Sequence, residues 1–159
     1  MYSRYFKFLL HLNDYKNYQR MIDLQETQRI KELLDKNPDN FQQIIDGSSL
    51  AICITNPDGN YSAINDKYLK LYGYTRDEMV GHSFLMVLEE HRKEKLQELH
   101  DMFMKLKDEI FRHWEVMRKD GRVFHITADA GYAPNILGKP HKVTFVWPED
   151  EDLQKLLSE

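Results

Sequence analysis

Two glycine-containing turns, each set between short runs of β-forming residues, most constrain the fold of this chain. The first, Asn-Pro-Asp-Gly at 56–59, joins residues 50–55 to residues 61–64. It places Asn, Pro and Gly at the positions where a type I turn favours each of them. The second, Lys-Asp-Gly-Arg at 119–122, also lies between two β-rich runs, and its Asp-Gly pair suits a two-residue turn. The pattern predicts two β-hairpins.

Helical signals occupy the sequence between these hairpins. Asn65 is a good N-cap for a helix over 66–72, and residues 75–78 (Thr-Arg-Asp-Glu) match a capping box. Residues 89–107 carry Leu, Met and Phe at three- and four-residue spacing, which predicts the longest helix of this region.

The second hairpin is followed by one more β-rich run. We expect strands over 111–117 and 123–130, then a looser stretch through Pro134, Gly138 and Pro140, then a strand over 142–147. The order of two strands, helices and three strands predicts an α+β fold. Its economical form is one five-stranded antiparallel sheet with the helices on one face.

The N-terminal segment has a different texture from the rest of the chain. Residues 1–37 contain no glycine or proline and repeat apolar side chains at helical spacing, so 1–40 is expected to be an amphipathic helical extension. Such a segment cannot bury its apolar stripe on itself. We therefore predict a homodimer held by residues 5–34, and the alternative is a cover for the outer face of the chain's own sheet. The interface candidates are Phe8, Leu12, Tyr15, Ile22 and Leu33.

Composition excludes several classes of protein. The chain has 159 residues, 42% of them hydrophobic, and a net charge of −4, so it has no general positive field for nucleic acid or an anionic membrane. It lacks an apolar run of the length that a membrane helix requires and has no secretory signal pattern. Its single cysteine, Cys53, fits a reducing compartment, and we expect a cytoplasmic protein.

Four motifs in order resemble the PAS (Per-Arnt-Sim) domain family. They are residues 54–59, the Ile-Asn pair at 64–65, residues 72–81 (Tyr-Gly-Tyr-Thr-Arg-Asp-Glu-Met-Val-Gly) and residues 118–122. Each one is weak alone, because such turns are common. Together they span residues 41–148, which are expected to form a PAS-like sensor domain.

The resemblance implies a cup-shaped module that holds a small molecule between its helices and sheet, or serves as a dimerising signal relay. It implies a bacterial sensory or signalling module without catalytic activity, whose partners are a second copy of itself, a small apolar ligand or a signalling protein. Residues 147–150 (Trp-Pro-Glu-Asp) stand where many family members carry Asp-Ile-Thr, and 149–159 is expected to be an acidic tail. The alternative is the N-terminal sensor fragment of a longer histidine kinase or cyclase.

Strand alternation indicates which side chains would face such a ligand. Residues at 114 and 116, and at 124 and 126, would point toward the helices, where they would meet apolar residues of the helical region. The alternative is that all these side chains fill the core completely. The pocket candidates are Phe84, Leu88, Phe103, Met104, Trp114, Val116, Phe124 and Ile126.

A haem- or flavin-bearing redox or gas sensor is the other alternative. His91 and His100 lie on the helix that resembles the one carrying the proximal ligand in haem-binding PAS domains, and only His100 shares its apolar face. Residues 81–85 (Gly-His-Ser-Phe-Leu) stand where the light-sensing branch carries its flavin-reactive cysteine. They contain no cysteine, so a light-driven flavin adduct is not expected. No His or Cys pair has the spacing of a zinc site, so no cofactor and no metal is predicted, with His100 a weak haem candidate.

Overall fold

The computed structural model describes residues 22–108 and 110–159. Its centre is a five-stranded sheet in the order β2-β1-β5-β4-β3, in which every neighbouring pair is antiparallel. The predicted α+β fold is thereby confirmed. The strands are β1 (Ala51–Thr55), β2 (Tyr61–Ile64), β3 (Ile110–Met117), β4 (Val123–Ile136) and β5 (Lys139–Pro148).

Helices lie on both faces of this sheet. One helix comes before the PAS-like region and covers the outer face, while the helices between β2 and β3 pack on the inner face. Short 3₁₀ turns at Pro38–Asn40 and Phe84–Val87 connect some of them. The helices are α1 (Leu24–Lys36), α2 (Phe41–Asp46), α3 (Asp66–Tyr72), α4 (Arg76–Met79), α5 (Glu90–Leu106) and α6 (Glu151–Ser158).

Strand β4 is longer than the sequence predicts. The looser stretch expected around Pro134 is part of β4, which pairs with β5 through a register shift between Ala133 and Ile136. The pairing with β3 ends at Ala130, so Pro134 lies where β4 has a neighbour on one side only. Proline is tolerated at such an edge, because its missing N–H removes no ladder hydrogen bond. The strands then join through a tight turn whose Gly138 has φ of +75°.

Helix α1 buries its apolar stripe on the outer face of its own sheet. Ile30 and Leu34 of α1, together with Ile22 just before the helix, are buried in one cluster with Phe145 of β5. Ile22, a predicted interface residue, is 3% exposed within its own chain and is therefore unavailable to a second copy. Leu33 is partly buried. The other interface candidates, Phe8, Leu12 and Tyr15, lie outside the described residues.

The segment 149–159, expected as an acidic tail, forms helix α6. Leu153 and Leu157 are buried in the inner core, and Lys67 Nζ of α3 donates to the Leu157 carbonyl oxygen at 2.6 Å. Acidic residues lie at the start of α6, where Arg122 forms ion pairs with Asp150 at 2.9 Å and with Asp152 at 2.6 Å. The helix forms because its leucines recur at the spacing that covers one core-facing side.

Candidate ligand cavity

A cavity of about 90 Å³ lies between the inner face of the sheet and the helices. This is room for several water-sized groups. The sheet side of its lining comes from residues two apart on each strand, such as Ile126, Ala128 and Ala130 of β4, because alternate side chains share one face. The helix side includes Leu96 and Leu99 of α5. The core is therefore not completely filled.

Five predicted pocket residues line this cavity. The 3₁₀ turn contributes Phe84, and Leu88 follows directly after it. Trp114 and Val116 come from β3 and Ile126 from β4, as the predicted alternation places them. Their common role in binding a ligand stays a prediction.

The other three predicted pocket residues do not line the cavity. Phe124 is buried near the hairpin end of β4, where its ring centroid lies 5.8 Å from that of Tyr72. Phe103 is buried, and Met104 is partly buried on α5 outside the lining. The one-residue step between Phe103 and Met104 turns about 100° around a helix, so both cannot face one narrow site.

Among the lining residues that sequence reasoning missed, Lys142 is the most informative. It lies on β5 directly opposite Thr55 of β1, and its Nζ lies 5.0 Å from the ring centroid of Phe84 and 5.6 Å from that of Phe103. Burial lowers the pKa of this amine from 10.5 to about 8, and the only opposing influence is the neighbouring Cys53. In the described part of the chain, no carboxylate pairs with it.

His100 lines the same region of the cavity with a defined tautomer. Its Nε2 donates to the carbonyl oxygens of Asn56 at 3.1 Å and Pro57 at 3.0 Å, so Nδ1 is the acceptor nitrogen. Nδ1 is buried and has no hydrogen-bond partner among the described residues. Burial, and then the nearby Lys142 charge, lower the pKa of His100, so the ring is neutral at pH 7.

This geometry does not suit haem ligation by His100. The ring nitrogen Nε2 is held by two carbonyl groups of the first turn, and Nδ1 would have to reach iron within a cavity of about 90 Å³. A porphyrin needs much more room than a few water-sized groups. The residues present therefore do not fit a haem group.

Two further lining side chains, both on β1, carry polar groups. Thr55 is 1% exposed, and its Oγ1 finds no hydrogen-bond partner within residues 22–108 and 110–159. Cys53, two residues earlier on β1, has a thiol whose pKa burial raises to about 11. A thiol of that pKa stays protonated at neutral pH and is a poor nucleophile. Cys53 itself is buried, at 3% exposed.

Lys142, Thr55 and His100 therefore gather at one part of a largely apolar lining. Lys142 and Thr55 face each other across two strands, and Phe84 touches both the Lys142 ammonium and, at 5.4 Å between ring centroids, His100. The signal that could have found Lys142 is its position in β5, where Thr144 and Val146 continue the inward alternation. The alternation predicts that a lysine in that register faces inward.

Neither a metal site nor a membrane span emerges from the described residues. Within 22–108 and 110–159, no group of three or more His, Cys, Asp or Glu side chains could hold a metal ion. The helices of that same part of the chain are too short or too polar to cross a bilayer.

Comparison with solved structures identifies the fold. The chain resembles the PAS domain of an HTR-like protein from Haloarcula marismortui, with a TM-score of 0.57 and 18% identity over 76% of this chain and 98% of that one. The PAS-B domain of Drosophila melanogaster Cycle, solved with bound ethylene glycol, gives 0.54 and 16% over 62% and 98%. A PAS domain of a two-component sensor histidine kinase gives 0.56 and 12% over 67% and 91%.

The family follows from the sequence as well as from the fold. No curated protein matches the chain. The family model described as PAS fold matches residues 39–148, which is more than half of the chain. The chain therefore belongs to the PAS family of sensory and signalling modules.

Proposed function

We propose that this PAS domain is a cytoplasmic sensory module that binds a small molecule in its inner cavity and has no catalytic activity. The observation that carries the proposal is the cavity itself, an apolar space with polar side chains gathered at one part of its wall. Enclosed apolar sites with a few polar groups are the usual form of a small-molecule site. The ethylene glycol bound to the Cycle PAS-B domain is in keeping with this reading.

The lining itself argues against catalysis. Its titratable side chains include a protonated thiol at Cys53 and a neutral imidazole at His100, whose Nε2 is already bonded to the backbone. The Lys142 amine, with a pKa of about 8, has no carboxylate partner among the described residues. No carboxylate is among the residues that line the cavity in the described part of the chain. A general acid–base pair needs two groups poised near neutral pH within reach of one substrate.

Helix α6 packs on residues that line the cavity and so connects the cavity to the protein surface. Val146 lines the cavity and belongs to the same buried cluster as Leu153 and Leu157 of α6. A ligand that shifts β5 or α3 would therefore change the packing beneath α6, and packed elements tend to move between discrete arrangements. We propose that occupancy of the cavity is reported through this helix.

The test is a protein-observed NMR screen with small probes such as 1-butanol, butyramide, butyrate and benzamide. We expect at least one probe to give saturable shifts at amides of Cys53, Leu88 and Ile126. Ala128→Val and Ala128→Leu fill the cavity stepwise and should weaken that binding in the same order. Ala133→Val is the control, because Ala133 is buried in the outer-face cluster. Absence of saturable shifts at the cavity for every probe overturns the proposal.

The homodimer predicted for residues 5–34 remains a separate proposal. Ile22 is buried within its own chain, so the proposed pairing would depend on Phe8, Leu12, Tyr15 and the partly buried Leu33. Size-exclusion chromatography with light scattering on the full chain should give a dimer, and Phe8→Asp with Leu12→Asp should give a monomer. A monomeric full chain removes the dimer.

A further inference from the structure

The cavity holds a positive charge without a negative partner among the described residues. Lys142 Nζ sits against the faces of Phe84 and Phe103 at 5.0 and 5.6 Å, and no carboxylate of the described chain pairs with it. Aromatic faces stabilise a cation by less than the burial of an ammonium costs. Lys142 is half-buried, and a charge held largely away from water is normally paired, so its missing counter-ion is informative.

Two neutral groups in the same wall are also unsatisfied. Thr55 Oγ1 is buried opposite Lys142, and His100 Nδ1 is buried across the Phe84 ring; neither has a hydrogen-bond partner within the described residues. Thr55 and His100 are each only 1% exposed. Buried polar atoms are almost always bonded, and those left over mark places where a water or ligand belongs.

The rest of the lining sets the charge and shape of the occupant. Arg112 is the other charged residue of the described lining, and its guanidinium carbon lies 6.0 Å from the Trp114 ring centroid. With Lys142 it makes the lining positive. Much of the remaining wall is apolar, formed by side chains such as Leu88, Val116 and Ile126.

We infer that the ligand is a small organic carboxylate with a short apolar tail, whose carboxylate binds Lys142 and Thr55. The inference rests on the proposed function, since it names the class of molecule that the cavity takes. Lys142 Nζ and the Thr55 hydroxyl each donate to a carboxylate oxygen, and the tail lies against Val116 and Ile126. A hydroxyl or water that enters with the carboxylate donates to His100 Nδ1.

The size of the cavity limits the length of the tail. About 90 Å³ suits a chain of a few carbon atoms rather than a long fatty acid. Butyrate is therefore the probe. Butyramide and n-butylamine have nearly the same shape as butyrate, so comparing the three separates the effect of charge on binding from the effect of shape.

The test compares butyrate, butyramide and n-butylamine by calorimetry and NMR at pH 7. We expect butyrate to bind saturably at the cavity, butyramide to bind about 10-fold or more weakly, and n-butylamine to give no cavity shifts. Lys142→Met should weaken butyrate binding about 10-fold or more, whereas Lys139→Met, an exposed lysine of the same strand, should leave it unchanged. Thr55→Val, which keeps the shape and removes the hydroxyl, should weaken it a few-fold and provides a second variant.

The pH dependence gives an independent readout. The groups around Lys142 are Cys53 and Thr55 on β1, Tyr68 on α3, His100 on α5 and Arg112 on β3. The cysteine and tyrosine pKa values are raised and that of His100 is lowered, so those three are neutral at pH 7–9 while the Lys142 amine titrates. Butyrate affinity should fall as pH rises above about 8. Binding at pH 8.5 should take up protons from the buffer.

The contradicting outcomes separate this inference from the proposed function. Butyramide binding as tightly as butyrate, or Lys142→Met retaining full butyrate affinity, overturns the anion inference and leaves a neutral-ligand sensor standing. Failure of butyrate to bind the wild-type cavity also overturns it. The proposed function falls only when every neutral and charged probe of the wider screen fails.

Discussion

Lys31 of α1 and Asp129 of β4 form an ion pair across the outer face of the sheet, with 3.5 Å between Nζ and Oδ2. Asp129 is 1% exposed, and Lys31 Nζ also lies 5.7 Å from the centroid of the Phe145 ring. The pair joins the helix before the PAS-like region to the centre of the sheet. It fixes α1 on a surface that would otherwise be an open apolar face.

Removing the carboxylate should loosen this attachment. Asp129→Asn removes this carboxylate from beside the Lys31 ammonium, and breaking one side of a buried pair costs about 3–5 kcal/mol. Urea unfolding measures the effect. The control is Glu98→Gln, since Glu98 pairs with Lys95 at 3.9 Å on the exposed face of α5, where such pairs contribute less than about 1 kcal/mol. Equal stabilities of the two variants would contradict the role of the buried pair.

Gly131 is predicted to be required for the same contact. A Cβ at this position would overlap Lys31 Cε and lie 2.9 Å from its Cδ, so Gly131→Ala should displace the lysine from Asp129. We expect a loss of about 1–3 kcal/mol in the free energy of unfolding. Gly47→Ala, where the new Cβ would meet its nearest atom at 3.5 Å, is the control. Full additivity of Gly131→Ala with Asp129→Asn would show that the two act independently.

The local signals of the sequence were sufficient for the architecture. The capping box at Thr75 and Glu78 forms as predicted, and Asn65 caps α3 by accepting from Tyr68 N at 3.1 Å. Each of these signals acts within a few residues, so a single sequence carries them fully. The fold class follows from their order.

The sequence did not predict the register in which distant strands pair. A proline disrupts a central strand but is tolerated in an edge strand. Only the pairing of β3 with β4, which ends at Ala130, shows that β4 is an edge strand at Pro134. Likewise Lys142 becomes a cavity residue because β5 pairs with β1 and brings it opposite Thr55. A lysine in a strand is typical of the solvent face, and only its alternation with Thr144 and Val146 opposes that expectation.

Asn65 is predicted to be a critical buried polar residue. Its Nδ2 donates to the carbonyl oxygens of Ile45 at 2.9 Å and Leu50 at 2.8 Å, while its Oδ1 accepts from Ile52 N and Tyr68 N. Asn65→Asp keeps the shape of the side chain but cannot donate a hydrogen bond. The carbonyl oxygens of Ile45 and Leu50 would then lose their donor and face a carboxylate.

We expect Asn65→Asp to destabilise the protein by about 3 kcal/mol or more in urea unfolding at pH 7. Asn40→Asp is the matched control, because Asn40 is exposed and its side chain makes no cap hydrogen bond. A change at Asn65 no larger than the change at Asn40 would refute the four-bond arrangement.

The buried amine of Lys142 should make stability depend on pH. Its pKa in the folded protein is about 8, below its ordinary value of 10.5, so the folded state carries the cost of the charged amine below pH 8. Between pH 8 and 10.5 the unfolded chain binds more protons, and stability gains from rising pH. Lys142→Met removes this cost and should be more stable than wild type by up to about 3 kcal/mol at pH 7.

The measurement is the difference in unfolding free energy between wild type and Lys142→Met from pH 7 to 10. The difference should shrink as pH rises, while the contributions of Cys53 and the buried tyrosines cancel between the two proteins. Lys139→Met should show no such trend. A difference that stays constant across this range is incompatible with a depressed lysine pKa.

The most direct measurement is a filtered NOE spectrum of the labelled protein with butyrate. The account predicts contacts between the butyrate methyl group and the methyl groups of Leu88, Val116 and Ile126, and their loss in Ala128→Leu. Contacts restricted to exposed side chains such as Leu137, or persistence of the cavity contacts in Ala128→Leu, would contradict a ligand held between the sheet and the helices.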